Sequence, residues 1–177
     1  MLPRQVLSAL ALPTTALSLP AIPVRSEATK ETAPACLLVE SPTTPINPPD
    51  CWAWYARTSE PADYCGPSSF GVVSDIQASA GWIDDCTSLR NSLLSTPRDF
   101  LLADYSTEHF NTLLEHGNCA LQVKPETPPS FDPIYFGGTD LTDILRSSIQ
   151  RSDEGSVGVR GSMTCYSYPL GWRVVPV

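Results

Sequence analysis

Apolar side chains repeat at helical spacing in two segments of the chain. Cys86, Leu89 and Leu93 form the first stripe, with Asp84 or Asp85 as the expected N-cap and Pro97 beyond its end. The second stripe consists of Leu141, Ile144, Leu145 and Ile149, between a turn at 137–140 and an expected stop at Gly155. The more polar segment 107–116 predicts a brief further helix that closes at Gly117.

Short apolar runs between these segments predict strands. The runs are Phe70–Val73, Phe100–Ala103, Cys119–Val123 and Trp172–Val175. Val157, Val159, Met163 and Cys165 alternate with small or polar residues, which is the period of a strand with one buried face. The order of elements predicts an α+β fold, with two helices packed on a mostly antiparallel sheet as a small disulfide-stapled sandwich.

The first third of the chain has a different character. A single arginine followed by apolar runs at 6–12 and 16–21 is typical of a signal peptide, which we place at residues 1–20. Prolines interrupt residues 21–62, so this range is predicted to be an irregular arm before a main domain at 63–177. Trp52, Trp54 and Tyr55 favour docking of the arm onto the domain, and an exposed aromatic contact site is the alternative.

Charge and cysteine content narrow the class of protein. The net charge of −8 argues against nucleic-acid binding, because phosphate-binding surfaces need clustered Lys and Arg. No stretch after the N-terminus is long and apolar enough for a transmembrane helix, and six cysteines indicate an oxidising, extracellular location. The sequence therefore predicts a secreted protein without a transmembrane segment in its mature form.

Six cysteines allow fifteen pairings, and proximity along the chain favours one of them. It joins Cys36 to Cys51, Cys86 to Cys119, and Cys65 to Cys165. Closing the last, longest loop would stabilise the fold by about 4.7 kcal/mol, and closing the middle loop by roughly 3.5 kcal/mol. Zinc is disfavoured because no two cysteines have the close spacing of a zinc knuckle, so neither a metal nor a cofactor is expected.

Candidate catalytic residues are few. A nucleophilic system would need His109 or His116, which the predicted helix would place on one face, but a solvated helix face is the favoured explanation of both. The carboxylate pairs Asp84-Asp85 and Asp140/Asp143 could serve glycosidase chemistry, although helix capping accounts for both. The sequence therefore predicts no catalytic residues and no enzyme.

An ordered series of motifs carries a resemblance to a known family. The series runs through Cys65-Gly66 before Phe70, Asp85-Cys86 before Leu89, Gly117-x-Cys119-Ala120 before Val123, Gly137 and Asp140 before Ile144, and Gly158, Gly161, Met163, Cys165 and Trp172. From Asp63 to Val175 the chain resembles the necrosis-inducing-factor effectors of fungi, the extracellular protein two effector family.

The resemblance implies a secreted, virulence-associated fungal protein with no established catalytic residues. Its expected partner is a host or microbial protein, or a cell-surface component. Two alternatives remain open: a killer-toxin-like antifungal protein that perturbs membranes or channels, and a small secreted hydrolase.

Overall fold

The structure is a computed structural model that describes residues 33–40, 44–73, 81–129, 133–152 and 158–177. These ranges belong to the second of two units into which the chain divides, residues 31–177. The predicted signal peptide, Gly155 and Val157 lie outside the described residues. In chain order the elements are β1 (Leu37–Glu40), β2 (Trp52–Arg57), β3 (Gly71–Val72), α1 (Trp82–Ser95), β4 (Arg98–Asp104), β5 (Asn111–His116), β6 (Cys119–Pro125), β7 (Ile134–Phe136), α2 (Gly138–Arg151), β8 (Val159–Cys165) and β9 (Tyr168–Pro176).

The named strands form two sheets. One sheet has the order β1-β2-β4-β7, in which β1 and β2 are parallel and the other neighbours antiparallel. The other has the order β3-β8-β9-β6-β5 and is antiparallel throughout. Helix α1 packs on α2 and on β5 and β6, while α2 contacts β4. The predicted α+β fold with two helices and mostly antiparallel strands is confirmed, with its strands in two sheets.

Both helical stripes face the core. Cys86, Leu89 and Leu93 of α1 are buried together with Trp82, and Leu141, Ile144 and Leu145 of α2 are buried as well. They belong to one cluster with buried residues of both sheets, among them Phe100, Phe136 and Trp172. Full burial of such side chains contributes roughly 1.5–3 kcal/mol each, so this cluster is the main source of stability.

The proline-rich arm contains two strands that the sequence did not predict. β2 pairs with β4 along its length, and β1 pairs with β2. Ahead of β1, Cys36 donates its backbone N–H to the Thr112 carbonyl of β5 at 2.8 Å, and Thr112 donates to the Pro34 carbonyl at 2.8 Å. The arm thus pairs with strands of both sheets. Trp52 is buried, in agreement with the docked interpretation.

The predicted helix at 107–116 is wrong. Residues 107–109 are a bend, and 111–116 form β5, which pairs with β6 across a turn at Gly117 and Asn118. Four successive residues, 111–114, are buried, as in a strand covered on both faces. The buried Asn111 is satisfied internally, because its Nδ2 donates to the carbonyls of Ser106 and Val123 at 2.8 and 3.2 Å.

Candidate functional site

The N-terminus of α2 holds an extended segment, residues 61–65, through the carboxylate of Asp140. Its Oδ2 accepts the backbone N–H of Tyr64 at 2.9 Å and that of Gly137, the N-cap, at 2.8 Å. Its Oδ1 accepts the N–H of Cys65 at 3.2 Å. Asp140 therefore caps its own helix and fixes the neighbouring segment at the same time.

A second carboxylate and a glycine complete this attachment. The Oδ1 of Asp99 accepts the N–H groups of Ala62 at 3.0 Å and Gly138 at 2.9 Å. A Cβ on Gly137 would lie 1.8 Å from the carbonyl oxygen of Ala62, so only glycine permits this approach. The turn before α2 is thus shaped to receive the segment 61–65.

Asp140 and Asp63 form a carboxyl pair at this attachment. Burial raises the pKa of Asp140 from its ordinary 3.8 to about 7, and a hydrogen bond with Asp63 adds to the rise, whereas the backbone N–H donors lower it. Asp140 is 7% exposed, while Asp63 is exposed. Because both oxygens of Asp140 accept backbone N–H groups, the pair is arranged to hold the chain rather than to present a free acid and base.

A cleft of about 380 Å³ opens beside this pair. Acidic side chains and one arginine line it, namely Asp63, Asp140, Asp143 and Arg146. Asp143 and Arg146 form an exposed ion pair at 3.2 Å, an interaction that contributes little to stability. Asp143 is thus separate in role from Asp140, although the sequence had paired them.

Three tyrosines pack together next to the Cys65–Cys165 disulfide. The ring centroids of Tyr64 and Tyr166 are 5.4 Å apart and stacked, and Tyr135 meets both rings edge-on at 5.7 and 5.6 Å. Tyr166 is 61% exposed, and the other two are half-buried. We refer to Tyr64, Tyr135 and Tyr166 as the tyrosine triad.

The predicted N-cap role of Asp84 or Asp85 is wrong. Helix α1 begins one turn earlier, with Gly81 as its N-cap, because Trp82 belongs to the buried stripe. Asp84 is exposed in the first turn. Asp85 instead binds the β5–β6 turn: its Oδ2 accepts the N–H of Asn118 at 2.8 Å, and Gly117 adopts a positive φ against the carboxylate. Asp85 therefore joins α1 to the β5–β6 hairpin, next to the Cys86–Cys119 disulfide.

The two histidines do not share a helix face. His109 lies in the bend before β5, where its Nδ1 is 3.1 Å from the Ser106 Oγ. His116 is exposed at the end of β5. The same serine oxygen accepts the N–H of Glu108 at 3.1 Å, so it forms part of the bend. This arrangement removes the shared helix face on which a histidine site had been considered.

The three disulfides join Cys36 to Cys51, Cys65 to Cys165 and Cys86 to Cys119, the pairs that proximity along the chain had favoured. Within the described ranges, no three His, Cys, Asp or Glu side chains gather in a way that could hold a metal ion. Among those same residues, no helix has the length and apolar character needed to cross a membrane.

A comparison with known protein families finds one family whose model matches this chain. The Hce2 family model, whose description is "Pathogen effector; putative necrosis-inducing factor", matches residues 64–165, more than half of the chain. The chain belongs to this effector family. A search of curated proteins finds no match.

The residues that carry the family motifs have structural roles, and these are the residues that the sequence analysis found. Cys65, Asp85, Gly117, Gly137 and Asp140 all serve the packing of the fold. The tyrosine triad and the carboxylates Asp63 and Asp99 were missed. One signal was present for the triad: Tyr64 and Tyr166 directly flank Cys65 and Cys165, and residues beside the two halves of one disulfide must lie close together.

Proposed function

We propose that this effector is secreted by a fungus and acts by binding a host or competitor component rather than by catalysis. The family match carries the proposal. The geometry supports it, because the carboxylate with the shifted pKa, Asp140, uses both oxygens to hold the backbone. The proposed division of the chain is a signal peptide at 1–20, an arm at 21–62 and the effector domain at 63–177.

Leaf infiltration tests this proposal. Purified oxidised protein lacking residues 1–20 is compared with the same protein after reduction and alkylation. Loss of three disulfides should unfold the chain, since the Cys65–Cys165 loop alone contributes about 4.7 kcal/mol in the chain-entropy model. Cell death from the oxidised form only supports a folded effector that a host component recognises. Equal cell death from both forms would contradict a fold-dependent action.

If no host plant responds, the proposed binding target is a component of a competing microbe. Growth inhibition of other fungi by the oxidised protein would then identify the target organism. A membrane-perturbing toxin is disfavoured by the net charge of −8, because anionic membranes attract cationic surfaces. Dye release from anionic lipid vesicles at micromolar protein would replace the binding proposal with that alternative.

A further inference from the structure

The tyrosine triad presents ring surface that the described part of the chain leaves open. In that part, arginines stack on aromatic rings elsewhere: Arg151 lies 4.2 Å from the ring centre of Phe70, and Arg173 lies 4.1 Å from that of Phe110. The arginine–ring contacts among the described residues do not include the triad. Tyr166, at 61% exposed, offers the most ring area.

The backbone at Tyr166 is in a conformation that favours glycine. β8 and β9 are joined by a two-residue turn, Tyr166-Ser167, and Tyr166 has a φ of 53°. The first position of such a turn is normally glycine when φ is positive, because a Cβ is strained there. A large exposed ring at this position costs stability, and backbone strain of this kind is concentrated at functional sites.

The triad lies in a negative electrostatic environment. Tyr64 directly follows the exposed Asp63, and its backbone N–H binds Asp140. Burial and then the charge of Asp99 are the largest causes that raise the pKa of the Tyr64 hydroxyl, with Asp140 a smaller one. Electron-rich ring faces and nearby carboxylates both attract a cation.

We propose that the tyrosine triad is the docking site for an arginine-bearing segment of the effector's protein target. Guanidinium groups stack on the open ring of Tyr166, and the carboxylate of Asp99 near Tyr64 supplies the opposite charge. Charge complementarity selects this partner, since the whole chain carries a net charge of −8. The inference rests on the binding function proposed above and names the surface and the chemistry of the partner.

Tyrosine-labelled protein and a short end-blocked peptide of alternating glycine and arginine provide the test. We expect the ring signals of Tyr64, Tyr135 and Tyr166 to shift in NMR spectra on titration, and to return as salt is raised. The other three tyrosines, Tyr55, Tyr105 and Tyr168, are internal controls. A glutamate peptide of the same length should produce no shift.

Tyr166→Gly separates binding from folding. Glycine relieves the positive φ, so the urea midpoint should change little, while loss of one exposed cation–π contact should weaken peptide binding about two- to fivefold. Asn47→Gly is the matched control, because Asn47 is the other described non-glycine residue with positive φ and lies in the loop between β1 and β2. It should bind the peptide like the natural protein.

Four outcomes would overturn the inference. They are unchanged binding by Tyr166→Gly, equal shifts in the control tyrosines, equal binding of the glutamate peptide, and shifts with a neutral oligosaccharide in place of the arginine peptide. In the leaf or growth assay, activity that Tyr166→Gly retains in full would reject this surface and leave the binding function standing. Inactivity of the natural protein in both assays would reject the function itself, which distinguishes the two failures.

Discussion

At the scale of single residues, Asp140 links protonation to stability. The unfolded chain ionises this carboxyl near pH 4, whereas the folded chain keeps its proton up to about pH 7. Between these values the folded state binds more protons, so the contribution of Asp140 is complete below about pH 4 and is lost as the pH rises through 7. The folded effector should therefore gain stability from this group in acidic surroundings.

Asp140→Asn tests that coupling. The amide does not ionise, but its NH2 group cannot accept the backbone N–H groups that a carboxyl oxygen accepts. The variant should therefore lose stability at every pH, and the pH dependence of the difference is what tests the coupling. From pH 4 to pH 7 we expect the unfolding free energy of the natural protein to fall relative to that of the variant. Urea unfolding at several pH values measures this change. Asp143→Asn, an exposed carboxyl of the same helix, is the control and should show no such change. Parallel pH profiles for all three proteins would contradict the assignment.

Gly137 lies in close backbone contact with Ala62 of the segment 61–65. In Gly137→Ala, the new Cβ would meet the Ala62 carbonyl oxygen and carbon, which are backbone atoms and have little room to move. We expect a loss of about 1–3 kcal/mol in unfolding free energy, the usual cost of overpacking. Gly66→Ala should change stability by less than about 0.5 kcal/mol, since its nearest neighbour would be 3.7 Å away. Similar losses in both variants would show that the close approach is unimportant.

At the scale of elements, Thr112 of β5 anchors the N-terminal arm. Its Oγ1 donates to the Ala33 carbonyl at 3.2 Å and accepts from the Gln122 Nε2 at 3.0 Å, in a buried site. Thr112→Val would leave both partners unsatisfied, which costs about 1–3 kcal/mol. Urea unfolding measures the loss, and faster hydrogen exchange at the Cys36 N–H would place it at the arm.

Thr164→Val is the matched control for this change, because Thr164 is an exposed strand threonine of β8. It should leave both the unfolding free energy and the Cys36 exchange rate unchanged. If Thr112→Val lowers stability without faster exchange at Cys36, the threonine stabilises β5 alone and not the arm.

Hydrophobic periodicity predicted the two helices, because their pattern is visible within the helix sequence itself. The stripes of α1 and α2 are clear because each helix buries one face. β5 was mistaken for a helix because its buried Asn111 and Thr112 are polar, and their partners on other segments are invisible in a local pattern. β1 and β2 were missed for a similar reason: prolines surround them, and their pairing partners are β2 for β1 and the distant β4 for β2.

The candidate site shows the same limit. Cysteine spacing and the glycine and aspartate motifs could be recognised, because each reflects a local geometric need. The tyrosine triad combines residues from the segment before Cys65, from β7 and from the β8–β9 turn, which only the complete fold brings together. Asp99, on β4, likewise gains its role from the distant turn before α2.

At the scale of the whole molecule, the folding unit extends beyond the family match in both directions. β9 follows the matched residues and lies between β8 and β6, and β2 precedes them and lies between β1 and β4. Cys51 and Ala53, in the arm before residue 63, belong to the common core with Phe100 and Phe136. The described residues of the arm therefore share one core with the effector domain, even though the family motifs begin after them.

Two truncated proteins decide whether the arm is needed for folding. A protein of residues 63–177 lacks β2, so β4 would expose an unpaired edge and the core would lose Cys51 and Ala53. We expect it to aggregate, or to unfold at a temperature at least several degrees lower than residues 33–177, by thermal near-UV circular dichroism and size-exclusion chromatography. Equal midpoints and a monomeric 63–177 would instead establish the arm as an appendage. In that case the three disulfides would serve two separable units, and the Cys36–Cys51 bridge would stabilise the arm alone.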